Sequence, residues 1–451
     1  MAGARAEAGR ALRKRVPRSS HAAWDPAPGR SPLDLLAESD RWRLPDLVPL
    51  RHARMLASPF AFLRGAPGVM AHDLASTPVT GITVQACGDA HLLNFGLFAT
   101  PERNLVFGLN DFDETLPGPW EWDVKRLATS LVVAARTAGF DQAVGRQAAE
   151  AAVRVYREQL ARYAGMRLLE VWYSRVDASA IIALARGRRR RMVADRLARA
   201  QHHTNLDALP RLTEPAADGR RFVEDPPLLT HVEECHQGWV EEVLGRYRAS
   251  MSDERRQLLG RFRAHDAARK VVGVGSVGTR CYVVLLLGDR HDDPLLLQVK
   301  QAEASVLEPH AGRSRYRHAG RRVVTGQRLL QTASDIFLGW TTDGAADYYV
   351  RQLWDMKGSV NLDTLDPADL VPYGQLCGWV LARAHARSGD AAAITGYLGG
   401  GESFDRAVAG FAEAYADQTE ADYAAFSAAR DSSSGDGGRG GDTNQRKGAE
   451  G

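Results

Sequence analysis

Residues 88–96, "GDAHLLNFG", bring an aspartate and an asparagine together at a spacing that suits phosphate chemistry. Asp89 follows a strand-like run and a glycine, which predicts a tight turn at the end of a strand, and Asn94 lies five residues later. A second strand-like run, "NLVFGL", leads to Asp111 and Asp113. Because Mg²⁺ binds carboxylate and amide oxygens together with substrate phosphates, Asn94 and Asp111 are expected to hold this cation while Asp89 orients or deprotonates a hydroxyl. Asp113 is the alternate ligand, or a ligand for a second ion.

Two other interpretations of these residues stay open. Asp and Asn commonly cap turns, so the segment could be a purely structural hairpin. The string "GDAH" is also similar to the "GDxHG" of metallophosphatases. Those proteins need later "GDxxD" and "GNHE" strings to complete a two-metal site, and neither occurs in this chain. A metal-dependent phosphoesterase therefore ranks below phosphoryl transfer.

A glycine-rich segment, "GVGSVG", places Gly273, Gly275 and Gly278 in GxGxxG spacing, with Ser276 between them. In a dinucleotide-binding fold a helix would begin inside this motif. Here the strand-like run "TRCYVVLLLG" follows it instead. Strand, loop and strand is the arrangement of a glycine loop folded over nucleotide phosphates. These four residues are therefore candidates for nucleotide binding.

Lys300 is the only charged residue in the apolar run "LLLQVKQA". A lysine within an apolar strand needs an anionic partner, and nucleotide phosphates would supply one. The alternative is a lysine at a strand edge that reaches solvent. The glycine loop that precedes Lys300 in the chain favours the phosphate interpretation.

Hydrophobic periodicity predicts the helices and strands that position these groups. "GITVQACGDA" and "NLVFGL" are typical of short strands, and "WEWDVKRLATSLVVAARTAGF" of an amphipathic helix that Gly139 ends. Residues 142–270 have Ala, Arg, Leu and Glu at helical spacing, interrupted by a loop. From residue 271 the pattern changes to strand, glycine turn and strand, then a third strand, a helix, two strands and closing helices.

Composition limits the class of protein. The formal charge of +3, from 58 basic and 55 acidic residues, gives no argument for a nucleic-acid partner. The arginines of "GRRRRM" at 187–192 are more typical of a solvated helix face. The apolar runs are too short to span a membrane, and the basic N-terminus lacks the apolar core of a secretory signal. Widely spaced cysteines fit the reduced thiols of a cytoplasmic protein: Cys87, Cys235, Cys281 and Cys377.

The motifs resemble the protein-kinase-like superfamily, especially its aminoglycoside-phosphotransferase and choline-kinase branch. That branch carries "HGDxHxxN" and a downstream Asp that binds Mg²⁺. Here "GDAHLLN" and "LNDFD" match, with Cys87 where the first His usually stands. "WEWDVKRLA" resembles the helix that follows, in which Asp123 would bond the backbone of the catalytic loop. "VLARAHARSG" resembles the helix that precedes the catalytic loop, and "YYVRQLWD" the last strand of the small lobe.

The parts occur in an unusual order. In the resembling kinases the glycine loop and lysine come first, whereas here the catalytic loop and metal strand at 88–113 precede them. This order resembles a circular permutation, which is physically acceptable where chain ends lie close together on a surface. "SPFAFLRGA", "NDFDE" and "KVVGVGSVGTRCY" also look like hallmark strings of a bacterial family, domain of unknown function 2252, over roughly residues 50–400.

The resemblance implies an α+β, protein-kinase-like, two-lobed fold that is circularly permuted, with a larger, mostly helical lobe and a small antiparallel β lobe. The expected division is a disordered basic arm at 1–32, a C-lobe-like helical region with the catalytic loop, the metal strand and a helical insertion at 33–270, an N-lobe-like β unit at 271–357, returning helices at 358–428 and a disordered tail at 429–451.

One departure from the kinase pattern concerns the partner of Lys300. A kinase lysine normally pairs with a Glu on the next helix, but the helix expected at roughly 315–333 has no acidic residue, and Gln327 is its nearest analogue. Glu303 and Glu308 lie closer in sequence and could substitute. Which acidic residue, if any, pairs with Lys300 is left open.

The expected activity is therefore an ATP- and Mg²⁺-dependent phosphotransferase with the alcohol group of a small molecule as acceptor. The main alternative is a non-catalytic, nucleotide-binding pseudokinase with a regulatory role. Arg64 could reach a phosphate or could only end a helix, and His385 is expected to be a capping or buried histidine. The acceptor and the oligomeric state do not follow from the sequence.

Overall fold

The computed structural model describes residues 2–184, 190–191, 194–195, 197–198, 205–216, 219–290, 293–353 and 362–435. It is a mixed α and β structure with antiparallel sheets. Most of the arginine-rich segment 187–192, the residues 354–361 and the tail from 436 onward lie outside the described residues. None of the described helices is long and apolar enough to cross a membrane.

The described helices fall mainly before and after the large sheet. They are α1 (Ala2–Ala11), α2 (Pro32–Asp40), α3 (Val48–Met55), α4 (Pro59–Gly65), α5 (Pro67–Leu74), α6 (Trp120–Thr137), α7 (Gln142–Ala164), α8 (Leu168–Tyr173), α9 (Ala178–Leu184), α10 (Asn205–Leu212), α11 (Gln237–Arg248), α12 (Asp253–Leu259), α13 (Glu308–Ala311), α14 (Ala319–Leu330), α15 (Pro367–Ser388), α16 (Ala391–Leu398) and α17 (Ser403–Gly435).

The described strands form four sheets. They are β1 (Thr83–Ala86), β2 (Phe95–Ala99), β3 (Leu105–Leu109), β4 (Leu116–Pro119), β5 (Val176–Asp177), β6 (Thr213–Ala216), β7 (Gly219–Phe222), β8 (Leu229–Thr230), β9 (Arg263–Lys270), β10 (Cys281–Leu287), β11 (Pro294–Ala302), β12 (Gly339–Thr342) and β13 (Asp347–Gln352). β1 pairs with β4, β2 with β3 and β5 form a three-stranded sheet, and β6 pairs with β7. The other six strands form the large sheet in the order β12-β13-β11-β10-β9-β8.

The large sheet is covered on both faces at its centre. Successive residues of β10 and β11 point to opposite faces, so their continuous apolar runs supply two cores. One face packs against α11, with Tyr282 and Val299 in the same cluster as Trp239. The other face carries Leu285 and Leu296, which cluster with residues of α10 and β7. The position of Lys300 in β11 therefore determines on which face of the sheet its side chain lies.

The larger core is built by α6, α7, α15 and α17, which pack against one another and against β1 and β3. α7 and α15 approach closely because glycines replace side chains at their contact. A Cβ on Gly378 would lie 2.1 Å from the carbonyl oxygen of Ala152. The helix predicted over residues 120–139 is α6, which ends before Gly139 at φ +72°, but it is buried on all sides over residues 120–135 and is not half exposed as an amphipathic helix would be.

The N-terminal segment is not the disordered arm expected at residues 1–32. Residues 2–11 form α1, which packs against α16. Gly9 and Gly396 permit this contact, since a Cβ on either would lie 1.9 Å from a carbonyl oxygen of the other helix. Arg13 and Arg18 then donate to the carbonyls at the end of α16. The basic residues therefore cap a helix instead of remaining in solvent.

Two expected boundaries are also different in the structure. The β unit does not begin at residue 271, because β8 and β9 already belong to the large sheet before that position. β9 has the sequence "RAHDAARK", which lacks the apolar pattern of a strand and reads as helical, but pairing with β10 outweighs its weak propensity. Residues 429–435, expected in the disordered tail, continue α17.

Candidate functional site

The loop after β1 turns sharply at Gly88, where the chain has φ +86°. A Cβ at this position would lie 2.4 Å from the carbonyl oxygen of Glu114, so the conformation and the close approach both require glycine. The turn places Asp89 directly after it. Asp123, in the first turn of α6, holds the turn by accepting hydrogen bonds from the N–H groups of Cys87 at 2.6 Å and Gly88 at 2.9 Å. The backbone role expected for Asp123 matches this geometry.

Asp123 is itself held by a buried chain of polar groups. His385 Nε2 lies 3.2 Å from Asp123 Oδ2, and His385 Nδ1 lies 2.9 Å from the hydroxyl of Tyr156. All three side chains are almost completely buried. His385 comes from α15, far along the chain, and it is buried as expected. It therefore supports the turn and does not face the cavity.

Asp89 is oriented by Arg126 of α6. The Nε and Nη2 atoms of Arg126 both donate to Asp89 Oδ1, at 2.9 and 2.6 Å, while Nη2 also donates to the carbonyl of Leu63. His91 Nε2 is 3.7 Å from Asp89 Oδ2. Burial lowers the pKa of His91 to about 3, although Asp89 opposes this, so His91 is neutral at pH 7. Oδ2 of Asp89 is therefore the carboxylate oxygen that remains available to bind a ligand.

Asn94 and Asp111 are brought together by the pairing of β2 with β3. The backbone N–H of Asn110 donates to the carbonyl of Asn94 at 2.9 Å, which fixes the two segments side by side. The side-chain N–H of Asn94 donates to the backbone carbonyl of Asp89 at 2.6 Å. The amide oxygen of Asn94 is therefore the group left for a cation. Burial and the neighbouring Asp113 raise the pKa of Asp111, against the effect of Lys300.

These donors suit a hard cation that also takes phosphate oxygens. Asn94 and Asp111 line one cavity and supply an amide and a carboxylate oxygen. Within the described ranges, no group of three or more His, Cys, Asp and Glu side chains is arranged to hold a metal. Mg²⁺ keeps several waters and is typically bound by one or two carboxylates plus phosphates, so this sparse donor set fits Mg²⁺.

Asp113 is the acidic partner of Lys300. Its carboxylate forms an ion pair with Lys300 Nζ and accepts a 2.8 Å hydrogen bond from the hydroxyl of Tyr349. Burial would raise the pKa of Asp113, but Lys300 and Tyr349 together lower it. The pKa of Lys300 is raised by Asp111 and Asp113 in spite of burial. Lys300 is thus fully charged, and Asp113 is less available to a cation than Asp111.

Strand register explains why Lys300 faces this site. Lys300 lies opposite Cys281 on β10 and opposite Tyr349 on β13, so the three side chains share one face of the sheet. Arg351 lies two residues further on the same face, and its Nη1 donates to the carbonyl of Asn110 at 3.2 Å. The large sheet therefore contacts the loop after β3 through a row of polar side chains.

The helix that follows β11 contacts this loop through an arginine. Arg322 of α14 donates to the carbonyls of Asp113, Thr115 and Glu303 at 2.7 to 2.8 Å. Gln327 does not reach Lys300 and instead donates to Gln331. The carboxylate of Glu303 accepts from Gln301, and that of Glu308 accepts from the N–H of Ser305. None of the three sequence candidates is the partner of Lys300, since Asp113 takes that place.

The glycine loop at 273–278 has its carbonyl groups turned outward to the segment that contains α2 and α3. Arg54 donates to the carbonyl of Gly273, Arg43 to that of Gly275 at 2.8 Å, and the N–H of Leu44 to that of Gly278 at 2.7 Å. In the described part of the chain, the N–H groups of Gly275 and Ser276 have no acceptor. The amide groups of the loop, and not its carbonyls, are left for a ligand, which favours an anion.

Most of the site residues predicted from the sequence line one cavity of about 240 Å³. Its wall includes three of the predicted glycine-loop residues and all four predicted polar residues of the first motif: Gly273, Gly275, Ser276, Asp89, Asn94, Asp111 and Asp113. Gly278 forms the base of the loop at φ +89°, and Lys300 reaches the cavity wall through Asp113. Groups that are far apart in the sequence therefore lie around a single space.

Four functional candidates were missed by the sequence interpretation: Arg126, Arg322, Tyr349 and Arg351. Tyr349 and Arg351 carry a signal that could have been read, because they alternate along a strand whose other face carries the buried Tyr348 and Val350. Arg126 lies three residues after Asp123 on a buried helix face, where a charge needs a partner. Arg322 carries no such signal, since α14 contains two other arginines.

Comparison with known proteins gives a family but no relative of known activity. A family model described as "Uncharacterized protein conserved in bacteria (DUF2252)" matches residues 43–429. No curated protein and no solved structure matches the chain. The match covers most of the chain and includes Asp89, Asn94, Asp111, Asp113 and the glycine loop. The chain therefore belongs to the bacterial family DUF2252.

Proposed function

We propose that this protein is an ATP- and Mg²⁺-dependent phosphotransferase that acts on a hydroxyl group of a small molecule. The observation that carries the proposal is the meeting of two sets of groups around one cavity. Asp89, Asn94, Asp111 and Asp113 line this cavity together with residues of the glycine loop, and Lys300 is paired with Asp113 behind the cavity wall. This is the set of groups that phosphoryl transfer needs.

The proposal includes a kinase-like fold with permuted chain order. The large sheet with α14 would correspond to the small lobe, and the helices around α6, α7 and α15 to the larger lobe. α15 is connected to the Asp89 turn by the buried contact between His385 and Asp123, not by the chain. This contact supports the permutation, because the helix that would precede the catalytic loop is adjacent to it in space.

The chain's own groups account for positioning at both ends of the transfer. Oδ2 of Asp89 would accept the hydrogen bond of the acceptor hydroxyl, while Arg126 holds the carboxylate in place. The hydroxyl oxygen forms a bond to the γ-phosphorus, the bond to the β,γ-bridging oxygen breaks, ADP leaves with that oxygen, and the hydroxyl proton passes to Asp89. Because the transition state of phosphoryl transfer is loose, an aspartate paired with arginine is adequate for this step.

Asn94 and Asp111 would hold Mg²⁺, which would neutralise charge on the phosphate oxygens. Lys300 would pair with the α and β phosphates beneath the glycine loop. In the structure its ammonium group is paired with Asp113. Nucleotide binding would therefore exchange one anionic partner of Lys300 for another, which keeps the buried charge compensated at every stage.

A non-catalytic nucleotide-binding protein is the alternative that shares most of these observations. It differs in a single expectation, which is that no acceptor is phosphorylated. Asp89 lines the cavity, and Arg126 donates to only one of its carboxylate oxygens, Oδ1. Oδ2 remains available to a substrate hydroxyl, and this favours an enzyme. No observation in the structure favours a metal-dependent phosphoesterase.

The first test is nucleotide binding by isothermal titration calorimetry. We expect ADP and ATP to bind in the presence of Mg²⁺, with affinity lowered by Lys300→Ala and with the Mg²⁺ dependence removed by Asp111→Asn. Lys14→Ala is the matched control, because Lys14 is exposed and lies outside the cavity. Absence of nucleotide binding to the natural protein, or an unchanged affinity in Lys300→Ala, would refute the proposal.

The second test separates the enzyme from the non-catalytic alternative. Release of ADP from MgATP is measured with water and with a panel of hydroxyl compounds as acceptors. We expect Asp89→Asn to abolish turnover without weakening binding of MgADP. Nucleotide binding without turnover on any acceptor would leave the non-catalytic protein as the better account.

A further inference from the structure

The cavity contains one arginine whose guanidinium donates to no group in the described ranges. Arg64 is in the last turn of α4 and lines the cavity beside Asp89. Its Nε atom is buried without a hydrogen-bond partner. Its guanidinium carbon lies 5.9 Å from the centre of the Phe60 ring, which gives weak compensation for a positive charge. A half-buried guanidinium whose Nε is shielded from water and has no acceptor is unfavourable, so this position favours binding of an anion.

The neighbouring arginines differ in that each donates through at least one nitrogen, although the Nε atoms of Arg43 and Arg51 are also buried without a partner. Arg43 donates to carbonyls of the glycine loop, and Arg51 donates to a carboxylate and to the end of α4. Arg126 holds Asp89. The donors of Arg64 are therefore the ones that the surrounding arginines leave for a ligand.

The backbone under Arg64 is fixed on both sides. The carbonyl before it, of Leu63, accepts from Arg126 at 2.8 Å, and the carbonyl after it, of Gly65, accepts from Arg51 at 2.7 Å. α4 also begins at a capped position, since the Ser58 hydroxyl accepts from a backbone N–H of the first turn. Arg64 therefore extends into the cavity from a rigid base.

Arg64 lies against the glycine loop and lines the same cavity as the carboxylates of Asp89 and Asp111. Its carbonyl oxygen is 3.1 Å from the position that a Cβ on Gly275 would occupy, so the tip of the loop rests on it. Burial lowers the pKa of Arg64, and the charges of Asp89 and Asp111 oppose that effect. Arg64 thus lines the same cavity as the hydroxyl-orienting and the cation-binding carboxylates.

We propose that Arg64 binds a phosphate-class oxyanion at the point where the glycine loop meets Asp89. For the identity of that oxyanion the inference rests on the proposed function, in which it is the phosphoryl group that moves from the nucleotide to the acceptor. A planar guanidinium can donate two parallel hydrogen bonds to such a group. The existence of the anion site does not depend on nucleotide binding.

The test begins with inorganic phosphate and protein without nucleotide. Titration calorimetry should give binding to the natural protein, weaker by about tenfold to hundredfold in Arg64→Gln and weakened less in Arg64→Lys, because a charged hydrogen bond is lost or reshaped. Arg41→Gln is the control, since Arg41 is exposed and lies outside the cavity. Circular dichroism verifies that each variant is folded.

A second arm identifies where the oxyanion comes from. If MgATP prevents phosphate binding and MgADP does not, the site takes the γ-phosphoryl group of the nucleotide. If phosphate binds equally well beside MgATP, the site takes an anionic group of the acceptor. In the first case, tetrafluoroaluminate should tighten binding of MgADP to the natural protein and not to Arg64→Gln.

Equal affinity of the natural protein and Arg64→Gln for phosphate would overturn the inference, as would absence of phosphate binding to the natural protein. These outcomes are distinct from failure of the proposed function. If MgADP and MgATP do not bind while phosphate binds through Arg64, the phosphotransferase is refuted and the anion site remains.

Discussion

Replacement of Lys300 by methionine should destabilise the protein mainly through the carboxylate that loses its partner. Lys300 is 3% exposed at its side chain, and the side chain of Asp113 is 27% exposed. Methionine conserves most of the apolar stem of lysine, so little packing is lost. The substitution therefore isolates the electrostatic part of the contact between β11 and the loop after β3.

The magnitude follows from the burial of the two partners. Removal of one member of a buried ion pair costs about 3–5 kcal/mol. In Lys300→Met, Asp113 still accepts the hydrogen bond from Tyr349, and about a quarter of its side chain is exposed to water. The free energy of unfolding should therefore fall by about 2–3 kcal/mol, which is less than for a fully buried pair. Asp113→Asn leaves the ammonium group unpaired and should cost a similar amount. The double variant has neither unpaired charge, so the coupling energy of the pair should be about 2–3 kcal/mol.

The assay is urea unfolding followed by far-ultraviolet circular dichroism at pH 7, with linear extrapolation to water. Lys14→Met is the control, because Lys14 is exposed and carries the same change of side chain. Asp113 has a lowered pKa in the folded protein, so its contribution is present above the ordinary carboxylate pKa. The difference between the natural protein and Lys300→Met should therefore shrink as the pH falls below about 4.

A coupling energy below about 0.5 kcal/mol would refute this reasoning, because contacting charges of a buried pair normally couple more strongly. Loss of stability that persists unchanged at pH 3 would also contradict it. Either result would mean that Lys300 is held by packing and not by Asp113.

Three further predictions concern groups that support the site. Asp123→Asn leaves one side-chain oxygen for two buried backbone donors, so the free energy of unfolding in urea should fall by about 1–3 kcal/mol, and an unchanged value would contradict the role assigned to Asp123. Burial lowers the pKa of Lys125 to about 7 and raises that of Glu121 to about 7, so the double substitution Lys125→Met with Glu121→Gln should be neutral or stabilising by about 1–4 kcal/mol in the same assay. Burial lowers the pKa of His21 to about 3, so the unfolded chain binds a proton before the folded protein does as the pH falls. The free energy of unfolding should therefore decrease from pH 6.5 toward pH 3 by up to about 1.4 kcal/mol per pH unit. In urea titrations at fixed pH, His21→Gln should reduce this slope.

The parts of the site that could be predicted from the sequence are those that depend on short spacing. Asp89 and Asn94 lie within one turn after β1, and a glycine at position 88 is required by the local backbone. The same holds for Gly273, Gly275 and Gly278, whose spacing alone indicates a loop between strands. These features depend on the identity and spacing of neighbouring residues, which can be read from a single sequence.

The partner of Lys300 could not be predicted, because it is set by tertiary contacts. Asp113 and Lys300 are 187 positions apart, and the contact depends on how the large sheet meets the loop after β3. The candidates chosen from the sequence, Glu303 and Glu308, are close to Lys300 along the chain only. The register of β11 with β13 decides which neighbours share a face, and a one-residue shift would have turned Lys300 away.

The fold was predictable where apolar residues repeat and not where they are scarce. α6 and β11 have strong patterns and occur at the expected positions. β9 and α1 have weak patterns, and each forms because a neighbouring element completes it. In α1 the contact uses glycines and arginines, which composition alone would assign to a disordered segment.

The docking of α1 on α16 has a consequence for biosynthesis. Residues 2–11 leave the ribosome long before residues 391–398, which form the other half of their contact. At typical elongation rates of about 5–20 residues per second, this interval is roughly 20–80 s. During that time the N-terminal segment of the nascent chain lacks its native partner, and factors that bind emerging chains have access to it. Completion of this corner of the protein therefore waits until residues 391–398 have left the ribosome.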